Sequence, residues 1–176
     1  AEGSVLRGWS MHAVPGRTRG MARWKGGVAV AMTSGSTGRP KCVVQSEESL
    51  RFAGLATIHA VGLREGDPVG AFVPLSSVAA LCFGLYLPAM LGGTMVCLSR
   101  WKPTDALELI RAEQVRWTML VPTMALQFAM VDDAQGGLSS MVAMTVGGGP
   151  MDAGGLQRAE EYLGTKFLRV FGMSEC

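Results

Sequence analysis

Short apolar runs recur along this chain, and stretches of helical pattern separate them. Residues 28–32, 69–73, 94–98, 116–121, 142–146 and 166–170 read as strands. Residues 46–61, 78–91, 122–131 and 152–163, and a segment opening at Pro103 or Thr104, read as helices. Strands separated by helices need crossover connections, so the expected fold is α/β, a largely parallel sheet with helices on both faces. Local chemistry agrees with this pattern. Ser46 can cap a helix whose first turn holds Glu47 and Glu48, where the helix dipole favours acid, and Leu50, Leu55 and Ile58 would form its apolar side. Pro122 is tolerated in a first turn. Leu156 and Leu163 are core candidates of the last helix, whose start Gly154 and Gly155 weaken.

Composition narrows the function classes. Hydrophobic residues make up 48% and charged residues 17% of 176, which excludes a disordered tail. A net charge of +2 gives no reason to expect nucleic acid or a membrane surface as partner. Cys42, Cys82, Cys97 and Cys176 form no CxxC pair, and His12 and His59 lie far from them in sequence, so the spacing does not match a Cys/His metal site. Cys82 and Cys97 lie in apolar runs and read as buried thiols, and a reduced, cytoplasmic compartment is the expectation.

No charged residue occurs between Asp67 and Arg100, and residues 78–98 approach the apolar length of a membrane span. Pro88 and the pair Gly92-Gly93 divide that stretch, and Ser76-Ser77 can cap a helix at its start. The reading is a buried helix, a Gly-Gly turn and a short strand within a soluble chain. Residues 1–27, with Arg7, Arg17, Arg19, Arg23 and Lys25 among glycines, show no periodicity and read as an irregular lead-in.

In an open parallel sheet, ligands gather beyond the carboxyl ends of the strands. Three unusual loops fall at such ends. The first is Thr33, Ser34, Gly35, Ser36, Thr37, Gly38, Arg39, Pro40 and Lys41. Small residues let backbone N–H groups approach an anion, the hydroxyls add donors, and Lys41 brings a mobile positive charge. A Walker A loop is excluded, because Pro40 stands five positions after Gly35 and Cys42 follows Lys41. That removes the GTPase and kinase-like P-loop class. The second loop, Gly147, Gly148, Gly149 and Pro150, offers bare backbone to a flat ligand. The third is Phe171, Gly172, Met173, Ser174 and Glu175. Its Phe can stack on a planar base, its Ser can bond a phosphate, and its Glu is a hard oxygen ligand suited to Mg²⁺. Taken alone, this loop is better read as a core Phe and a surface Glu.

Together the three loops resemble the adenylate-forming AMP-binding superfamily of acyl- and aryl-CoA ligases, luciferases and peptide-synthetase adenylation domains. Residues 33–41 are similar to its Ser/Thr/Gly-rich phosphate loop. Residues 147–150 resemble its Gly-Gly-Ala-Pro turn, and residues 171–175 its Tyr-Gly-Met-Thr-Glu segment. Val121-Pro122-Thr123-Met124 resembles a recurrent segment between them. The likeness covers the chain from about residue 28 onward. It implies a protein that activates a fatty or aryl carboxylic acid with Mg²⁺ and ATP as an acyl-adenylate, then passes the acyl group to CoA. It further implies that residues 33–41 hold the β- and γ-phosphates, with Lys41 catalytic. Gly148, Gly149 and Pro150 would border the adenine and the acid. Phe171, Gly172 and Met173 would flank the nucleotide. Ser174 would contact the α-phosphate region, and Glu175 would hold Mg²⁺.

The sequence departs from the family pattern in places. Cys42 stands for a usual Gly, Gln45 or Glu47 for a frequent His, and Ser76-Ser77 for an aromatic-His pair near the acyl pocket. The family's ribose-binding Asp, and its small C-terminal domain with a catalytic Lys, would follow the last residue. Residues 28–176 are therefore expected to be part of a larger nucleotide-binding domain, inactive alone and carrying exposed apolar surface. Two alternatives stay open. One is a carrier-loading adenylation domain, although the uncharged stretch lacks the Asp that would bind an amino acid. The other is a truncated paralogue that binds nucleotide without catalysis.

Overall fold

A computed structural model describes residues 27–33, 38–135, 138–150 and 152–175. The expected lead-in at residues 1–27 lies outside them, apart from Gly27. The chain opens with strands β1 (Gly27–Thr33) and β2 (Lys41–Ser46), followed by helix α1 (Glu47–Val61) and strand β3 (Val69–Ala71). A π-helical segment (Ala80–Tyr86) runs into α2 (Leu87–Met90), and β4 (Met95–Cys97) follows. Next come α3 (Pro103–Ala112), β5 (Trp117–Leu120), α4 (Pro122–Phe128), β6 (Ala143–Val146), α5 (Ala153–Leu163) and β7 (Phe167–Arg169).

The expected parallel sheet is present, with five strands in the order β4-β3-β5-β6-β7, every pair parallel. Side chains alternate between its faces. Leu120, Met144, Val146 and Phe167 pack with Ile110, Phe128, Leu156 and Leu163 from α3, α4 and α5. Val69, Trp117 and Ala143 pack on the opposite face with Val61 of α1 and Leu87 of α2. Period-two alternation within each strand thus gives each helical layer its own apolar face. Trp117 is fully buried, meets Phe83 edge-on at 6.0 Å and donates its ring N–H to Thr145 Oγ1 at 2.9 Å. The indole is therefore buried without leaving its one donor unpaired.

The first strand departs from expectation. β1 is not a member of the parallel sheet. It pairs antiparallel with β2 in a separate two-stranded sheet, with Thr33 opposite Lys41, Val30 opposite Val44 and Met32 opposite Cys42. Residues 41–46 look like the rest of a loop in sequence, yet Val43 and Val44 are β-branched and favour extended backbone. Gly38, at φ +95°, helps the chain fold back, because that conformation strains any residue with a Cβ. The hairpin's outer face carries Val28, Val30, Met32, Cys42 and Val44, all exposed.

Helix α1 starts as predicted. Ser46 is extended, and its Oγ accepts the Ser49 N–H at 3.0 Å. Leu50 is buried and Ile58 packs against the core, whereas Leu55 remains 49% exposed, so the apolar side is narrower than expected. The uncharged stretch divides where its Pro and Gly residues predict. Ser77 Oγ accepts the Ala80 N–H at 3.1 Å at the start, and the turn at Gly92-Gly93 precedes β4. The interior of the helix is π rather than α: the Leu87 N–H bonds the Cys82 carbonyl five residues back, just before Pro88. Proline has no N–H and crowds the carbonyl four residues before it, and a wider turn relieves that crowding. No helix among the described residues is long and apolar enough to cross a membrane.

Candidate functional site

Two of the three loops meet at the carboxyl edge of the parallel sheet. The Gly147 N–H donates to Leu120 O at 3.1 Å, and the Val170 N–H donates to Val146 O at 3.0 Å, so the loops leave β6 and β7 side by side. Gly147 has to be glycine there. A Cβ would stand 2.5 Å from Val170 Cγ2 and 2.8 Å from the Val170 carbonyl oxygen. Gly148 has φ +80°, and Gly149 packs beside the Pro122 ring. The result is a cleft of about 510 Å³ lined by Gly148, Gly149, Arg169, Val170, Phe171 and Gly172. One wall is bare backbone. Phe171, 91% exposed, lines the cleft rather than the core, while Glu175 is at the surface as the plain reading of this loop has it. Pro150 is exposed at the end of the glycine turn.

The phosphate-loop candidate sits on the hairpin rather than at a strand-to-helix junction. Thr33 and Lys41 pair across its base and Lys41 is exposed, while Ser34, Gly35, Ser36 and Thr37 lie outside the described residues. One hydrogen bond ties hairpin and cleft together: Gln45 Nε2 donates to the Ser174 carbonyl oxygen, across 129 residues of sequence. Ser174 is half-buried, and Met173 and Glu175 are exposed. The described ends of the first loop, Thr33 and Lys41, thus lie on the hairpin that Gln45 ties to the loop after β7.

The sequence reading missed Arg169 and Gln45. In sequence Arg169 reads only as a strand residue, although its position at the end of β7 brings it to the cleft, with its guanidinium 3.5 Å from the Ala153 carbonyl. Gln45 stands out in sequence only as a departure from a frequent His. Among the described residues no group of three or more His, Cys, Asp or Glu side chains could hold a metal ion. Glu175 could hold a cation only together with ligand oxygens and water, the arrangement Mg²⁺ favours. Cys82 supplies no nucleophile, because burial pushes its thiol up to about 11 and its Sγ lies 3.5 Å from the Leu50 carbonyl.

The sequence profile of the family described as AMP-binding enzyme matches residues 25–176. The chain belongs to the AMP-binding enzyme family. Its relatives include triostin synthetase I of Streptomyces triostinicus, 32% identical over 82% of this chain and 27% of the relative. A 2-succinylbenzoate–CoA ligase of Bacillus licheniformis is 29% identical over 83% of this chain and 30% of the relative. Among solved structures, the o-succinylbenzoate CoA synthetase of Bacillus subtilis, in complex with ATP and magnesium ion, superposes with a TM-score of 0.75 at 27% identity. That alignment covers 83% of this chain and 30% of the synthetase. The chain therefore spans less than a third of the length of these AMP-binding relatives.

Proposed function

We propose that this chain is the nucleotide-binding part of a longer adenylate-forming ligase. That ligase would activate a fatty or aryl carboxylic acid with ATP and transfer it to CoA. The observation that carries this reading is the convergence of the two strand-end loops on one cleft, tied through Gln45 to the hairpin that bears Lys41. Adenine would lie between Phe171 and the backbone of Gly148 and Gly149, with Pro150, Gly172 and Met173 at its margins. Lys41 would neutralise the β- and γ-phosphates, aided by N–H and hydroxyl donors of Thr33, Ser34, Gly35, Ser36, Thr37 and Gly38. Positioning and charge neutralisation are what displacement at a phosphate asks of a protein. Ser174 would face the α-phosphate, and Glu175 would hold Mg²⁺. Held there, the ion would supply positive charge against the phosphates.

Residues 28–176 would then be part of the large domain of this enzyme, with the ribose-binding Asp and the Lys-bearing domain elsewhere in the full protein. The free thiols of Cys42, Cys82 and Cys97 support a reducing, cytoplasmic setting. A second reading, a carrier-loading adenylation domain, is favoured by the likeness to triostin synthetase I. Pyrophosphate release by the full-length ligase, measured across a panel of carboxylic acids with and without CoA, separates the two. Acyl-CoA formation from a fatty or aryl acid supports the first reading. An acyl-adenylate that CoA does not consume and a carrier pantetheine does supports the second. Absence of acid-dependent pyrophosphate release across the panel overturns both.

A further inference from the structure

We infer that Gln45 and Ser49 are positioning residues that set the Ser174-Glu175 backbone against the Lys41 hairpin. This inference rests on the reading of Lys41, Ser174 and Glu175 as the nucleotide and metal site. The hairpin is a separate two-stranded sheet, and two strands alone are only marginally stable in water. Its position relative to the cleft therefore has to come from elsewhere. The chain continues directly from β2 into α1, which packs on the far face of the parallel sheet through Val61. Among the described residues, the bond from Gln45 to Ser174 is the one hydrogen bond that ties the hairpin to the loop after β7.

The Gln45 amide is held at both ends. Its Nε2 donates to the Ser174 carbonyl, and its Oε1 lies 3.2 Å from Ser49 Oγ. Ser49 Oγ is also 2.9 Å from the Ser46 carbonyl and accepts from Ser46 Oγ at 3.1 Å. A hydroxyl has one proton to give, so Ser49 shares it between two acceptors. Because the Ser174 carbonyl can only accept, it takes the amide nitrogen, which leaves Oε1 toward the Ser49 hydroxyl. The same Ser46 caps α1, so the strap is anchored on a helix end. Glu175 is the next residue after the held carbonyl, and a fixed carbonyl limits where its carboxylate can reach. Lys41 lies four residues before Gln45 on the same strand. Gln45 thereby couples the distance between the proposed cation ligand and the proposed phosphate ligand.

Two measurements on the full chain test this. The first needs no nucleotide. Backbone ¹⁵N order parameters at Met173, Ser174 and Glu175 should be near about 0.85 in the wild type and fall below about 0.6 in Gln45→Leu. Ser49→Ala should lower them less, and amides of α5 and β6 should stay unchanged in both. Unchanged order at 173–175 in Gln45→Leu, with the β2 amides intact, overturns the strap. Should Gln45→Leu lose the hairpin itself, the exposed Ser49→Ala decides alone: no change at 173–175 overturns the strap. The second measurement is ATP affinity by calorimetry with and without Mg²⁺. In Gln45→Leu the gain in affinity conferred by Mg²⁺ should drop by about 3- to 10-fold, the range expected for one lost hydrogen bond. Affinity without Mg²⁺ should hold within about twofold on the same scale. Equal losses in both conditions overturn a role in placing Glu175. A wild-type chain whose ATP binding ignores Mg²⁺ overturns the reading of the site, and the order parameters then judge the strap separately.

Discussion

The five-stranded sheet and the β1–β2 hairpin are both β-structure, yet they are held in different ways. The central strands β3, β5 and β6 sit between helical layers, and Val69, Trp117, Leu120, Met144 and Val146 are almost wholly removed from water. On edge strand β4, by contrast, Met95 and Cys97 are exposed, against the expectation that Cys97 is a buried thiol. The hairpin has two strands, one exposed apolar face and the side chain of Gln45 as its tie to the cleft. The sheet draws its stability from burial on two faces. The hairpin depends on local pairing and on what it is attached to. Burial on two faces in one region and local pairing in the other suit the proposed site, in which the sheet edge would hold a flat ring and the hairpin would bring a charged loop to it.

The largest expected contrast is in stability. Trp117→Ala should destabilise the chain by about 3–5 kcal/mol, the usual loss for a large buried aromatic. Met32→Ser, on the outer face of the hairpin, should stay within about 0.5 kcal/mol. Chemical denaturation of both variants checks the pair, and a Met32 effect as large as that of Trp117 would erase the distinction between the regions.

Next comes the edge where the regions meet. Gly147→Ala places a Cβ against Val170, and overpacking of this kind costs about 1–3 kcal/mol. It should also open the cleft between β6 and β7 and weaken ATP binding. Retention of both midpoint and affinity would show that β7 shifts freely.

Lys41→Ala should leave stability within about 0.5 kcal/mol because the side chain is exposed. Its ATP affinity should fall by about tenfold or more, as for a lost hydrogen bond to a charged group. An unchanged binding isotherm would remove Lys41 from the site.

The smallest effect concerns pH. Burial holds Cys82 as the thiol up to about 11, against an ordinary 9.0. The folded chain therefore keeps this proton more tightly than the unfolded chain. Its contribution to stability is complete below pH 9 and is lost as the pH rises toward 11. In a Cys176→Ser background at pH 8, a thiol reagent should label Cys42 and Cys97 promptly and Cys82 only on unfolding. Prompt labelling of Cys82 would mean that the contact between α1 and the π-helical segment opens readily.

Much of the fold was legible because its signals are local. The Ser46 cap, the break at Gly92-Gly93 and the strand alternation each depend on residues a few positions apart. The loops at 147–150 and 171–175 were legible as chemistry for the same reason. The hairpin was not. Residues 41–46 follow a Gly- and Ser-rich loop, and nothing nearby says whether the next extended run joins the large sheet or turns back on β1. Leu55 reads as part of the apolar side of α1, because periodicity records which side of a helix is apolar but not how wide a neighbour covers it. Arg169 escaped notice because a strand residue becomes a site residue only through the place where its strand ends.

By itself the sequence determined the α/β alternation, the three candidate loops and the family. Propensity, capping and turn geometry act over a few residues and leave their marks in order along the chain. Tertiary structure alone decided the strand order, the need for glycine at 147 and the pairing of Gln45 with Ser174. These arise where backbone segments far apart in sequence come into contact, and the side chains involved carry no local sign of that contact.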